Sequence, residues 1–504
     1  MPGTVRNGTT MTTRTARPLA GARRCACIML LALATVLSPG TAGAVRWDVP
    51  PPWRAGGPVG FTLDAASFPD STGYHLEVYV RVPPATIHQL ARDERGAARL
   101  RLTVTLRGRQ GAPLSSAQEL VLGPEDTADA EGQVAVVRFP VVPGRARLTA
   151  RLEDLQSEKH RLMGSRRERV ESLEMQGDVE APRAQGGRDL SDVEFVWPDP
   201  VHAPGLAFVR DGRARRPQPD RLFGLRAPRM AAAVVARGRA GDERAWTWSV
   251  RVSDGEGRAI AERETTTVGG RFASFDPSFD VSEWPAGGYT MEIRAAQAGD
   301  AAPLVRRARF SVGWEPETWD LDAEELADEV HFLLEARDEE TFASSLPGEQ
   351  EQVLSEFWRK RDPTPGTAAN EAHEGFRERV AYANRQWTRF GIGKGMFSDM
   401  GRVYIRYGPP SEITQQVMPA GDETLTRELE RIMYEEQRAV GDLRQKGLGG
   451  DQRPFEVWSY EGDIPVPFDV EPGTVPRGST RRRLMFLFVD EQGLGTYTLR
   501  YTTE

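Results

Sequence analysis

Cysteine is almost absent from the 504 residues: Cys25 and Cys27 are the only two, and both fall within the first 44. A chain shorn of that segment has no thiol, which excludes thiol catalysis, thiolate metal sites and disulfide staples from its body. Histidine is scarce too, with six residues and no two at metal-ligand spacing. Lysine is limited to Lys159, Lys360, Lys394 and Lys446, so nearly all of the 65 basic residues are arginine, a bias that fits a GC-rich genome. Formal charge is −8, and becomes −13 without residues 1–44, which hold five arginines and no acid. An acidic body argues against a nucleic-acid partner. No His-Glu-x-x-His, Gly-x-Ser-x-Gly or Walker-type sequence occurs.

What is abundant is glycine (50) and proline (36), a surplus that signals many turns and a β-rich protein. The length suggests about three domains. The start reads as a secretory signal: arginines between 14 and 24, an apolar run over 25–37, and Ala42-Gly43-Ala44 as a small-x-small cleavage site. The run is shorter than the roughly 20 residues of a membrane span, and the residues before Cys27 do not form a lipobox. Residues 58–178 then alternate with period 2, as in Leu76, Val78, Val80 and Val82 and again in Leu100, Leu102, Val104 and Leu106. This pattern predicts an antiparallel β-sandwich. Residues 176–190 read as a linker. A second, immunoglobulin-like sandwich is predicted over 189–313, with Trp246, Trp248, Val250 and Val252 inward. In it Tyr289 after Pro285-Ala286-Gly287-Gly288 is expected to bond nearby backbone through its hydroxyl. The arginine-rich stretch 210–229 is expected to be an exposed loop.

From 317 to 504 the period changes and an α+β domain is expected. Asp322 with Glu325 marks a helix start. A helix over 348–360 should turn Val353, Leu354, Phe357 and Trp358 inward, until Pro363 and Pro365 break it. Thr367 is the expected N-cap of a helix over 368–390, on which Ala372, Phe376, Val380, Ala383, Trp387 and Phe390 share one face. A strand is expected at 403–407, a charged helix at 423–446, and strands at 455–460, 483–489 and 495–502.

Chemistry is sparse. Gly391-Ile392-Gly393-Lys394-Gly395 follows a helix rather than a strand, so it reads as a helix stop and not a phosphate loop. On the helix wheel His373 sits about 60° from the apolar line and Glu371 about 140° from it, so they point in different directions and share no ion readily. Asp362, Glu371 and Asp399 lie in or beside Gly/Pro loops, where acid/base residues occur. Each also has a structural job available: a turn for Asp362, the helix N-terminus for Glu371, an Asx-turn for Asp399.

Phe357-Trp358-Arg359-Lys360-Arg361-Asp362-Pro363-Thr364-Pro365-Gly366-Thr367, then Asn370-Glu371, Arg377 and Tyr382-Ala383-Asn384, resembles the GWxTD domain family. So do 401–410 (Gly401-Arg402 through Tyr407-Gly408-Pro409-Pro410) and Glu456-Val457-Trp458-Ser459-Tyr460. The resemblance covers about 320–504. Residues 61–84 are similar to the N-terminal regions that accompany such domains. The naming motif is altered, with Gly395-Met396-Phe397-Ser398-Asp399 in place of Gly-Trp-x-Thr-Asp. The resemblance implies an exported bacterial protein and assigns no activity.

These readings together give two antiparallel, immunoglobulin-like β-sandwiches followed by an α+β domain, in an exported, periplasmic or extracellular, non-catalytic binding or scaffold protein. Its expected binding residues are Arg361, Asp362, Thr364, Thr367, Asn370, Glu371, Ser398, Asp399 and Arg402, with Arg402 bracing Asp399. The expected partner is an envelope protein or polymer, with no metal and no cofactor. The rival is an envelope-polymer-processing enzyme using Asp362, Glu371 or Asp399. A third reading makes the motifs purely structural and moves binding to the sandwiches. Cleavage after Ala44 is checked by intact mass of the native protein, and a mass that retains Cys25 and Cys27 refutes it.

Overall fold

The computed structural model describes residues 45–504 except 72, 110, 124–130, 158–170, 185–186, 199–208, 211–212, 321, 368, 390–392, 420–424, 426, 429–430, 433–452, 463–467 and 469–482. The expected leader, Phe390, Gly391 and most of the expected helix at 423–446 lie outside the described residues. The described chain is mostly β-sheet with a few helices.

The first part comprises β1 (Val45–Trp47), β2 (Trp53–Ala55), β3 (Phe61–Pro69), β4 (Tyr74–Val82), α1 (Pro84–Gln89), β5 (Ala98–Gly108), β6 (Leu114–Leu122), β7 (Gln133–Val141), β8 (Gly144–Asp154) and β9 (Ser172–Ala181). Two sheets, β1-β9-β8-β5-β6 and β2-β3-β4-β7, enclose one core. The alternating residues of β4 and β5 supply it: Leu76, Val78, Val80, Val82, Leu100, Leu102 and Val104 are each 3% exposed or less. Residues 176–181, expected in a linker, instead complete β9 against β8. The pairing satisfies their backbone groups, which a linker would leave to water.

The second part comprises β10 (Asp189–Leu190), β11 (Glu194–Val196), β12 (Val209–Arg210), β13 (Arg213–Ala214), β14 (Leu222–Gly224), β15 (Arg229–Arg237), β16 (Trp246–Asp254), β17 (Ala259–Thr267), β18 (Phe272–Phe275), β19 (Ser278–Asp280), β20 (Gly287–Gln297) and β21 (Leu304–Gly313). The sheet β14-β21-β20-β16-β17 packs on β15 and its partners β10, β11, β18 and β19 around Trp246, Trp248, Phe223 and Phe310. The Tyr289 hydroxyl donates to the Pro285 carbonyl at 2.7 Å, as its place after the turn predicts, and burial pushes its phenol up to about 12.

The two parts meet across a polar seam. Glu77, Tyr79 and Arg81, the polar phase of β4, are 2%, 2% and 5% exposed, because that face is covered as well. Arg81 pairs with Asp220 at 2.5 Å, and Asp220 also accepts from the Thr62 hydroxyl. Next to it Arg221 makes two bonds to Asp64, at 2.8 and 2.7 Å. Arg221 holds this position at a φ of +50°, a conformation rare for a long side chain. The exposed loop expected at 210–229 is therefore wrong for Arg215, Arg216 and Arg221. All three are buried, paired with Asp276, Glu131 and Asp64. Partners more than 60 residues away are invisible to local charge patterning.

The third part holds α2 (Pro316–Asp320), α3 (Ala323–Val330), α4 (Ala336–Ala343), α5 (Pro347–Arg359), α6 (Glu371–Trp387), a 3-10 turn (Gly395–Phe397), α7 (Asp399–Tyr407), and the antiparallel sheet β22 (Glu412–Gln416), β23 (Phe455–Glu461), β24 (Arg483–Asp490), β25 (Tyr497–Thr502). Asp322 caps α3 as its spacing predicts, accepting from the Glu324 amide. Along α5, Trp358 is buried but Val353 is 43% exposed; Gln350 and Glu351 are buried in its stead. Glu351 earns this place by accepting from the Trp314 amide and the Thr318 hydroxyl.

The expected strand at 403–407 is helix α7. Met400, Val403 and Tyr407 pack on Trp458, Phe486 and Phe488 of the sheet, while Ile405 packs on the opposite side with Phe376 and Val380 of α6. A helix wedged between two apolar surfaces buries residues on two sides, so the alternation of Val403, Ile405 and Tyr407 with exposed Arg402 and half-exposed Arg406 imitates a strand. The other face of β24 meets Leu425 and Ile432, which explains the unbroken apolar run from Leu484 to Val489.

Asp220→Ala leaves Arg81 buried without its partner. The expected loss is about 3–5 kcal/mol, read from denaturant melts; a change below about 1 kcal/mol refutes the seam's role.

Candidate functional site

The candidate residues fall into two loops at opposite ends of α6. At its N-terminus, the Asp362 carboxylate accepts from the Thr364 amide at 2.9 Å, closing the turn that the prolines force. The Thr364 hydroxyl donates to Glu371 at 2.6 Å and lies 3.2 Å from the Thr367 hydroxyl. The Thr364 hydroxyl and the first-turn amide hold the Glu371 carboxyl below its usual range. Asn370, not Thr367, caps the helix: its side chain accepts from the His373 amide at 3.1 Å and donates to the Trp358 carbonyl at 2.8 Å. Thr367 spends its hydroxyl on the carbonyls of Thr364 and Ala369. Arg361 lies 3.6 Å over the Phe357 ring and donates to the Phe357 and Phe468 carbonyls. His373 stacks on Trp358 at 4.7 Å, and burial lowers its pKa.

At the other end of α6 lies the altered naming motif. The Gly395 amide donates to Thr388 at 2.8 Å and the Met396 amide to Asn384 at 2.9 Å. Ser398 caps α7 by accepting from the Gly401 amide at 3.0 Å, and donates to the Gly395 carbonyl at 2.6 Å. A Cβ on Gly395 would sit 2.2 Å from the Ala383 carbonyl oxygen, and one on Gly401 would sit 2.1 Å from the Gly395 carbonyl oxygen. The two glycines thus let α6, the turn and α7 touch through backbone. Met396 is buried at 1% exposure and packs with Phe376, Val380 and Ala383. Phe397, half-buried, stacks on Phe332.

Asp399 accepts from the Leu499 amide on β25 at 2.8 Å, while Arg402 is exposed. The expected Asp399–Arg402 brace is replaced by one from helix to sheet. The reason is the helical conformation of 399–407, which opens the first turn toward β25.

Asp362 and Glu371 share the first loop through Thr364, and Asp399 does not join them. Glu371 opens α6 and Asn384, which holds the second loop, lies 13 residues along it, a rise of about 20 Å. Among the described residues no group of three metal-ligating side chains forms a metal site. Sequence patterning missed the residues that join the motifs. Arg379 donates to the Ile405 carbonyl at 3.2 Å and lies against Gly408, whose φ of +80° ends α7. The Tyr460 hydroxyl donates to the Gly408 carbonyl at 3.0 Å. The Gly-Pro-Pro after a helix was the one available signal.

Residues 316–420 match the model of the GWxTD domain. No curated protein sequence matches the chain. Among solved structures, the C-terminal domain of wzt aligns at 13% identity over 26% of this chain and 75% of its own, with a TM-score of 0.18. Red sea bream transglutaminase aligns at 8% over 51% of this chain and 31% of its own, TM-score 0.16. The CARDB domain of the PF1109 protein from Pyrococcus furiosus aligns at 11% over 26% and 95%, TM-score 0.16. At such scores none of the three bears on fold or activity.

Asp399→Ala strands the Leu499 amide and is expected to cost about 1–3 kcal/mol. Arg402→Ala should change stability by less than about 0.5 kcal/mol, with the double variant additive in denaturant melts. Strong coupling between the two would restore the brace.

Proposed function

We propose that the chain is an exported, non-catalytic binding or scaffold protein of the bacterial cell envelope. In this reading two immunoglobulin-like β-sandwich domains, 58–178 and 189–313, carry the α+β domain 317–504. Its partner is another envelope protein or an envelope polymer. The observation that carries the reading is the placement of Asp362, Glu371 and Asp399. Paired-carboxylate hydrolysis of a glycan needs two carboxyls about 5–9.5 Å apart. Here Asp399 stands in the other loop, about 20 Å along α6 from Glu371, while Asp362 and Glu371 share one exposed loop in which both are tied to Thr364. Each of the three carboxylates has a bond to make within the fold. These bonds within the fold favour the non-catalytic reading over the rival enzyme.

Of the two loops, 363–367 is the exposed one, and Thr364 and Thr367 stand on it. It is the face we assign to a partner. The segment 395–399 is committed to the junction of α6 and α7, which favours the structural reading for that motif. No helix among the described residues is long and apolar enough to cross a membrane.

Affinity capture of the tagged protein from its own envelope tests the reading. A component retained by the wild type and by Arg251→Glu, but lost with Thr364→Trp, is the expected result. Equal retention by all three refutes the loop. Release of soluble product from purified envelope polymer by the protein alone refutes the non-catalytic reading.

A further inference from the structure

The C-terminal sheet has two edges, and they are finished differently. At one, α7 lies against β25 and the Asp399 carboxylate takes the Leu499 amide. At the other, β22 pairs with β23 alone, and the opposite side of its backbone has no partner among the described residues. No position from Ser411 to Met418 is buried. Natural edge strands are blunted by lysine, proline or interspersed charge. The edge strand β17 follows that rule with Glu262, Arg263 and Glu264. Between Ser411 and Pro419 the only charge is Glu412, with no lysine and no proline.

The β22 edge is apolar instead. Ile413 is 53% exposed, Val417 60% and Met418 87%, and no other six-residue window of the described chain holds three large apolar side chains so exposed. Ile413 and Val417 stand two positions either side of Gln415, so all three lie on one face of the strand. It is the face of Trp458, which sits opposite Ile413 on β23. An unpaired backbone edge beside unpartnered apolar side chains is a template for another strand.

We infer that this strand is β22 of a second copy of the chain, paired antiparallel about a two-fold axis through Gln415. Directly opposite residues of a sheet share a face, so such an axis passes through a residue and not between two. Centred on Gln415, the pairing runs from Ser411 to Pro419 and sets Ile413 of each copy opposite Val417 of the other. Thr414 meets Gln416, and Glu412 meets Met418. The two Glu412 carboxylates then stand about 20 Å apart, six residues along the strand. Moving the axis by one residue breaks both apolar pairs. The strand is thus complementary to itself in charge and in apolar surface, as an isologous contact requires. Five residues a side bury less than the roughly 1,000 Å² of a stable interface, so the dimer is reversible, with a Kd in the micromolar range.

The inference does not depend on the scaffold reading, although a dimer gives any partner of the loop 363–367 two attachment points. Sedimentation velocity of the purified full chain across roughly 1–200 µM, a range that brackets a weak interface, tests it. Conversion of monomer to dimer with rising concentration is expected. Ile413→Lys and Val417→Glu each set a charge against an apolar partner and should weaken the dimer about tenfold or more. Both side chains are more than half exposed, so the variants should melt with the wild type. Mixed in equal amounts they should dimerise again. The introduced lysine of one chain then faces the introduced glutamate of the other, and the second Ile413–Val417 pair is intact. A chain that stays monomeric, a dimer that neither substitution moves, or a mixture that stays monomeric overturns the proposal. Slowed amide exchange over 412–418 in a monomer carrying another envelope protein gives the edge to that partner and also overturns it. Capture of an envelope component through 363–367 is a separate readout and stands or falls by itself.

Discussion

The turn at Asp220 and Arg221 is the constraint on which the assembly of this protein depends. Two adjacent residues of opposite charge reach back across 139 and 157 positions to Arg81 and Asp64, which stand on neighbouring strands. Buried ions of this kind are tolerated only when each is paired and hydrogen-bonded. Here every member is: Asp220 takes Arg81 and Thr62, and Arg221 takes both oxygens of Asp64. Beside these pairs a small apolar cluster, Ala66, Phe68 and Tyr79 with Val235, also crosses the seam, and the directional charge pairs leave it little freedom to slide. A positive φ at Arg221 is held because the Ser311 amide donates to its carbonyl and its own amide donates to the Gln218 carbonyl.

A second constraint, of opposite character, shapes the C-terminal part. There the close approach is backbone on backbone, permitted by Gly395 and Gly401 and fixed by Asn384, Thr388 and Ser398. In the altered motif Met396 fills the space between α6 and the turn, with Phe397 stacked beside it. An unbranched thioether adapts to an irregular gap, so the change of residue is absorbed by packing. The motif reads as framework: its hydroxyl caps a helix, its carboxylate ties that helix to β25, and its glycine lets two helices meet.

In the proposed reading, binding is displaced from the motif to what the framework presents. The loop at 363–367 projects because Pro363 and Pro365 end α5 and Asn370 starts α6.

Much of this was legible in the sequence. Alternation at Leu76–Val82 and Trp246–Val252 marks the inward faces, the proline pair marks the break between α5 and α6, and the Tyr289 hydroxyl bond follows from the turn before it. These are local: period, turn chemistry and capping act over a few residues. Tertiary structure alone decided the rest. A strand's polar phase becomes interior when a second body covers it, as at Glu77, Tyr79 and Arg81. Apolar residues on both faces of α7 suit a strand equally until the sheet on one side and α6 on the other choose a helix. An arginine is a surface residue by default until its carboxylate arrives from a strand 157 positions away. Patterning reports which residues leave water. Only the assembled chain determines what they meet there, because pairing energies depend on partners that no local window contains.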